Sequence, residues 1–414
     1  MKAPFAKFVS GFSLFTLLCA IPSTTEAVYA GTKSMGRAGA VMAKPLDALV
    51  IAYNPAGLAW VDEQLNVGGT WIRQDGRARF SGNTLVQGGY QSHERASTFL
   101  PDVGACMHYY QCNWTVGVAA YTRDFVKTNY GRAFPQFGTT KLGLEYEHET
   151  VSPAFAVKFG RYHSFGVSLD LMAHRLKVNG LENLAVFSER PNKFTNEGYD
   201  YAFGVGCTVG ILSEIWDCTH VALAWSPAIS MENFRKYKGL LAEKGQLHFA
   251  DRYMAGISID LFDNFTFELD GEHAGWNHIP ALHHRIERLL EDGEEFGSED
   301  GPGLGWMDQM IWRMGIEYVY NESISLRAGY QHSRSPIHGS QTLLNMLTPN
   351  VIEDWITAGL TWNTCRLGEL SIYTGYGFNK NIQGKDSIDP VFGGGEVDIE
   401  DRQLNVSLTW SKYY

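Results

Sequence analysis

Beyond residue 21 the chain has no long apolar run, so a bundle of membrane-spanning helices is excluded even though 44% of its 414 residues are hydrophobic. Basic residues are scarce, 34 against 45 acidic, and the net charge of -11 argues against nucleic acid as a partner. Cysteine is sparse, six in all. Once Cys19 is set aside with the leader described below, Cys106, Cys112, Cys207, Cys218 and Cys365 remain, and five cannot all pair within one chain. No nucleophile elbow, metalloprotease helix, phosphate loop or zinc ribbon occurs. No enzyme activity, catalytic residue or cofactor is therefore expected.

What is present begins with a leader. Met1 to Lys7 carries two lysines, an apolar run follows from Phe8 to Ile21, and Thr25-Glu26-Ala27 closes the stretch. This is the pattern of a secretory signal peptide over 1–27, with cleavage after Ala27 or Ala30. Cys19 follows Leu17-Leu18, without the small residue that lipidation wants directly before it. The rest is rich in glycine (44) and in Tyr (20), Phe (23) and Trp (11), a mixture that suits short strands and an interfacial aromatic belt.

One rhythm recurs along the chain: an alternating run, a tight polar turn, another alternating run. Ala154–Phe159 and Phe165–Leu171 flank Arg161–Ser164, and Ile257–Leu261 and Phe265–Leu269 flank Asp263-Asn264. Such hairpins predict strands near 65–81, 99–110, 114–126, 143–160, 164–178, 199–212, 218–229, 246–262, 264–275, 309–320, 323–334, 353–363, 368–380 and 400–414. Links alternate strictly between about one to six residues and about 15 or more. A membrane barrel sorts its connections this way, with short periplasmic turns and long outer loops, whereas a β-sandwich has no reason to. The fold expected is all-β: an antiparallel transmembrane barrel of about fourteen strands over 65–414, in a bacterial outer membrane, monomeric and surrounded by lipid.

Facing agrees with that reading. On 400–414, Leu404, Val406, Leu408 and Trp410 alternate with Gln403, Asn405, Ser407 and Thr409. Aromatics such as Tyr109, Trp114, Phe159, Phe262, Trp362 and Tyr414 crowd the short turns, where a girdle belongs. Loops 82–98, 179–198, 276–308 and 381–399 are expected outside the cell, and turns 111–113, 213–217 and 364–367 in the periplasm. Cys112, Cys218 and Cys365 then sit on turns several strands apart, beyond disulfide reach, and Cys207 faces lipid beside Val205 and Val209.

Residues 28–64 do not alternate. A barrel this wide cannot be filled by its own side chains, so this segment is expected to fold back as a plug. Gly31-Thr32-Lys33-Ser34-Met35-Gly36-Arg37-Ala38-Gly39, then Tyr53-Asn54-Pro55-Ala56-Gly57-Leu58-Ala59, resembles the N-terminal hatch of the long-chain fatty-acid outer-membrane transporters (OMPP1/FadL/TodX type). Asp270 to Trp276, Leu326-Arg327-Ala328-Gly329-Tyr330, Trp225-Ser226-Pro227 and Thr348-Pro349 are similar too. Val351-Ile352-Glu353-Asp354 departs from the usual Pro-Asp, and the cysteines are unusual for the family. The resemblance implies passive uptake of a hydrophobic small molecule, a fatty acid or an aromatic hydrocarbon, which is caught near the outer loops and released through a lateral gap. It also implies that Asn54, Pro55 and Ala56 belong to the gating hatch. A non-specific porin, or a receptor or adhesin using the long loops, remains the alternative.

Strand parity places Lys158, Asp170, Arg252, Asp260, Glu268, Asp270, Arg313, Glu317 and Arg327 on the inner face, chiefly as ion pairs between plug and wall. If the ligand is a fatty acid, one cation should meet its carboxylate, with Arg327 the first candidate and Arg313 the second. His278, His283 and His284 lie in a long polar segment and read as solvated rather than metal-binding. Leu282, Ile286, Leu289 and Leu290 have helical spacing and predict a short amphipathic helix bordering an outer ligand groove.

Overall fold

A computed structural model describes residues 28–414 apart from 93–96, 110–112 and 365. The leader, Cys112 and Cys365 therefore lie outside the described residues. The strands in the first half are β1 (Gln64–Gln74), β2 (Arg77–Ser81), β3 (Gly88–Gln91), β4 (Ser97–Tyr109), β5 (Trp114–Asn129), β6 (Gly143–Phe159), β7 (His163–Asn179) and β8 (Asp200–Trp216). In the second half they are β9 (Thr219–Ser226), β10 (Arg252–Phe262), β11 (Phe265–Ala274), β12 (Gln309–Asn321), β13 (Ile324–Ser333), β14 (Asp354–Asn363), β15 (Glu369–Ile382) and β16 (Glu396–Tyr413). β2 and β3 form a flap on the upper end of β16; the other fourteen close antiparallel, β1 pairing with β16 from Gln64 opposite Tyr413 to Gln74 opposite Gln403. No helix among the described residues is long and apolar enough to cross a membrane.

The outer face is greasy because strand period two puts every second residue there. Val205, Ile211, Leu223, Trp225, Trp312, Met314, Leu408 and Trp410 are exposed, while their neighbours Thr208, Arg313, Ser407 and Thr409 are buried inside. Exposed Phe159, Trp216, Phe262, Trp362 and Tyr414 ring the short-turn end, and Tyr109 stacks on Trp114 with centroids 4.0 Å apart. At the opposite end the long links pack on one another. Phe134, Phe194, Phe234, Tyr237, Trp276, Phe296, Trp306 and Leu343 are among the buried residues of this cap.

Four local expectations need correction. The single strand at 65–81 is interrupted at Asp75-Gly76, where a Cβ on Gly76 would lie 2.7 Å from the Glu400 carbonyl; β2 keeps the register of β1 on β16, from Gln74 opposite Gln403 to Arg77 opposite Glu400, but has β3 instead of β4 on its other side. The strands expected at 218–229 and 246–262 stop at Ser226 and start at Arg252. Ile229 and Phe249 exchange backbone bonds of 3.0 Å with each other, which folds 227–251 inward. The turn at 213–217 reduces to Asp217-Cys218, because a bulge between Glu214 and Trp216 prolongs β8. The amphipathic helix splits into Pro280–His283 and a wide turn at Arg288–Asp292. The carbonyls of Leu282 and His284 accept from Trp306 and from Gly303 and Gly305, so tertiary bonds take the groups a helix would use. The leucines still face the cap: Leu289 is buried in it, and Leu282, Ile286 and Leu290 pack against it.

Candidate functional site

Val28 to Val61 precede β1 and are nearly all buried. The segment has little regular structure, so its backbone N–H groups need partners, and carboxylates on the inner wall supply them. Val41 and Met42 donate to Asp270 Oδ2 (2.8 and 3.1 Å), Ala43 and Lys44 to Glu268 Oε1 (2.7 and 3.1 Å), and Gly31 to Asp102 Oδ2 (3.1 Å). Arg37 pairs with Glu268 at 3.0 Å, Lys44 with Asp260 at 2.6 Å, and Lys33 with Glu369. Strand parity anticipates the wall charges but not which hatch atom each one meets.

Asn54 caps the turn of 3-10 helix Pro55–Trp60. Its Oδ1 accepts from Ala56 N–H (3.1 Å), and its Nδ2 donates to the carbonyls of Met42 (3.1 Å) and of Ile211 on β8 (3.2 Å). Pro55 starts the turn, where its missing donor costs nothing. Ala56 presses on β7: Ser164 Oγ donates to its carbonyl at 3.0 Å, and a Cβ on Gly166 would lie 2.3 Å from its nitrogen. Gly329, in the stretch Leu326–Tyr330, plays the same part on β13, since a Cβ there would come within 2.4 Å of the Arg37 backbone.

The wall is not paired throughout. β4 and β5 are joined only from Tyr109 opposite Trp114 to Val103 opposite Ala120. Above that point, Ser97–Asp102 has β1 on one side and, among the described residues, no ladder to β5 on the other. Pro101, which has no N–H to offer, stands on this free edge. On β5 the register to β6 shifts between Thr122 and Asp124. The Tyr29 N–H of the hatch donates to the Thr122 carbonyl at 3.0 Å, in the place a strand would take. Tyr29, Met35, Ile72, Leu100 and Tyr373 form one buried cluster with Phe125 against it, and Leu100 on β4 and Phe125 on β5 bring that cluster to the unpaired stretch.

A cavity of about 200 Å³ leads to this point from the cap. Leu240, Leu282, Leu304 and Trp306 line its outer part, Leu144, Leu176, Val178 and Phe249 its middle, and Tyr29, Phe125 and Gln403 its inner end. Among the described residues its lining has no lysine or arginine, whereas Asp124 and Asp401 both border it. Burial holds the imidazole of His248 below its ordinary pKa, and its Nδ1 accepts from Met231 N–H at 3.2 Å.

Neither arginine expected to meet a ligand carboxylate borders this cavity. Arg327 pairs with Glu317 and donates to Thr361 Oγ1 (2.6 Å); Arg313 pairs with Glu272 (2.6 Å) and donates to Gln331 Oε1 (3.2 Å). Both are buried, beside the hatch. His283 and His284 bond the carbonyls of Trp306 (3.0 Å) and Gly301 (2.9 Å), and His278 bonds Asp251 (3.1 Å). Sequence reasoning named Leu282 and the inward Gln403 but missed most of the cavity: Leu240, Leu304 and Trp306 come from links with no strand periodicity to read, and Phe125, Leu144, Leu176 and Val178 come from the upper ends of strands, where inward facing is legible but the shared chamber is not.

The fold is shared with outer-membrane channels of known structure. The toluene transporter TodX of Pseudomonas putida superposes with a TM-score of 0.67 at 13% identity, over 95% of this chain and 99% of its own. A Pseudomonas aeruginosa FadL homologue gives 0.67 at 14% identity, over 94% and 99%, and the toluene transporter TbuX of Ralstonia pickettii gives 0.64 at 13%, over 93% and 98%. No curated protein sequence matches the chain. The family model for outer membrane protein transport proteins (OMPP1/FadL/TodX) matches residues 25–388. Covered by that match over most of its length, the chain belongs to this family of outer-membrane transport proteins.

Proposed function

We propose that the protein mediates passive uptake of uncharged hydrophobic small molecules, which enter at the cap, descend the cavity and leave sideways between β4 and β5. The observation that carries this reading is the continuity of apolar lining. Tyr29 and Phe125 both end the cavity and plug the unpaired stretch of wall. An apolar solute released there enters the membrane without crossing water or the hydrophilic surface layer. Residues 28–64 act as the hatch, with Asn54, Pro55 and Ala56 anchoring it to β7 and β8 while the Tyr29 end moves.

A long-chain fatty acid, which the sequence resemblance favours, is the second reading. It finds less support, because a carboxylate in this cavity would be desolvated beside Asp124 and Asp401 without a cation in the lining. Aromatic hydrocarbons of the kind named for TodX and TbuX carry no such penalty.

The test closes the aperture. In L100C/F125C, oxidation should abolish uptake of radiolabelled toluene by cells, and reduction should restore it, with the cross-link verified by peptide mapping. Uptake that continues at the wild-type rate in fully cross-linked protein would exclude the lateral route.

A further inference from the structure

Phe249 lies on the inward-folded link 227–251, buried with Met172, Ile229 and Met231, and forms part of the cavity wall. Two guanidinium groups lie against its ring: Arg123 at 5.0 Å and Arg252 at 4.7 Å from the centroid. The edge of His148 packs on it at 5.0 Å. Arg123 and Arg252 are 2% and 0% exposed, and neither borders the cavity. The ring therefore separates an apolar chamber from a pair of buried cations.

The two cations differ. Arg252 has a carboxylate partner, Glu272, at 2.8 Å. Arg123 sits at the register shift of β5 and donates to Tyr121 Oη at 3.3 Å; Asp170, Glu272 and Asp124 act on it electrostatically, but among the described residues none of them makes a contacting ion pair with it. The next residue, Asp124, directs its carboxylate to His148 Nδ1 at 3.2 Å. A buried guanidinium without a contacting carboxylate is costly, and a π face offsets only part of that cost. It is also the group that a ligand carboxylate would seek.

We propose that Phe249 is the specificity-determining residue of the cavity: it covers Arg123 and Arg252, denies an anionic ligand its counter-ion, and so restricts the path to uncharged molecules. The proposal rests on the uptake reading above and adds which residue sets the charge class that passes. Removing the ring would join the chamber to the arginine pair and admit carboxylate amphiphiles, with Arg123 the cation that receives them.

The experiment measures equilibrium binding of toluene, laurate and methyl laurate to the purified, full-length folded barrel in detergent. Wild type should bind toluene and methyl laurate and bind laurate at least about tenfold more weakly than its ester. F249A should gain about tenfold or more for laurate with little change for the ester. F249L, which keeps an apolar cover, should not gain, and R123M placed on F249A should abolish the gain. Laurate binding as tight as its ester in wild type would overturn the proposal even if F249A failed to fold. No gain in an F249A barrel that still migrates as a heat-modifiable folded species would overturn it equally. Wild type that binds none of the three would defeat the uptake reading itself, and this inference with it.

Discussion

At the scale of single residues, Asn54 uses one amide for three bonds, two of which tie together parts of the chain far apart in sequence. In N54L all three are lost and two carbonyls lose their donors, at about 1 kcal/mol per bond. The loss falls on the docking of the hatch and not on the wall. We expect N54L to form a heat-resistant barrel whose residues 31–60 become cleavable by added protease; protection equal to wild type would show that the anchor lies elsewhere. Gly166 offers the reciprocal change. A side chain there must enter the Ala56 backbone, so G166L should raise ion conductance in a planar bilayer, and unchanged conductance would contradict the packing described. The triplet Asn54-Pro55-Ala56 was singled out in the sequence by its resemblance to the family's hatch. Its partners were not legible, since alternation says that position 166 faces inward without saying what it meets.

At the scale of elements, the proposed route makes the hatch and the unpaired edge of β4 two parts of one device, since a backbone bond from Tyr29 stands where a strand would otherwise continue the wall. Deleting 31–60 should leave a conducting pore, measurable as ion leak in a planar bilayer, and should remove the preference for hydrophobic solutes. A non-conducting deletion variant would rule out this segment as the barrier. Strand existence, facing and the alternation of short and long links could be read from period-two patterning and turn residues. The aperture could not, because β4 keeps its alternation where it lacks a partner. The helix expected at 282–290 failed for a related reason: spacing reports which face is apolar, while competition for the carbonyls of Leu282 and His284 is settled by a chain segment some twenty residues away.

At the scale of the whole molecule, the two ends of the barrel differ in kind, one a ring of tight turns and the other a packed cap. The cap is expected to face the medium. An epitope inserted at the exposed Lys385-Asp386 should bind antibody on intact cells, and labelling only after the outer membrane is opened would reverse the topology. The described cysteines are separate: Cys106 is buried, Cys207 stands on the lipid side between Val205 and Val209, and Cys218 lies exposed in a short turn. Peptide mapping under non-reducing conditions should find no bridge within a chain between Cys218 and either Cys112 or Cys365. Such a bridge would mean that the turn placement is wrong.

The dependence of the hatch on carboxylates borrowed from the wall also sets an order in time. Thr32 bonds to Ser407 and Thr409, and Lys33 to Tyr413, so the beginning of the described chain is completed by its very end. Residues 32 and 33 cannot gain these partners before β16 is in place, so the hatch is expected to dock after the wall. In pulse-labelled hydrogen exchange during refolding into detergent, amides 31–44 should gain protection after those of β12 and β13; simultaneous protection would show a hatch able to fold on its own.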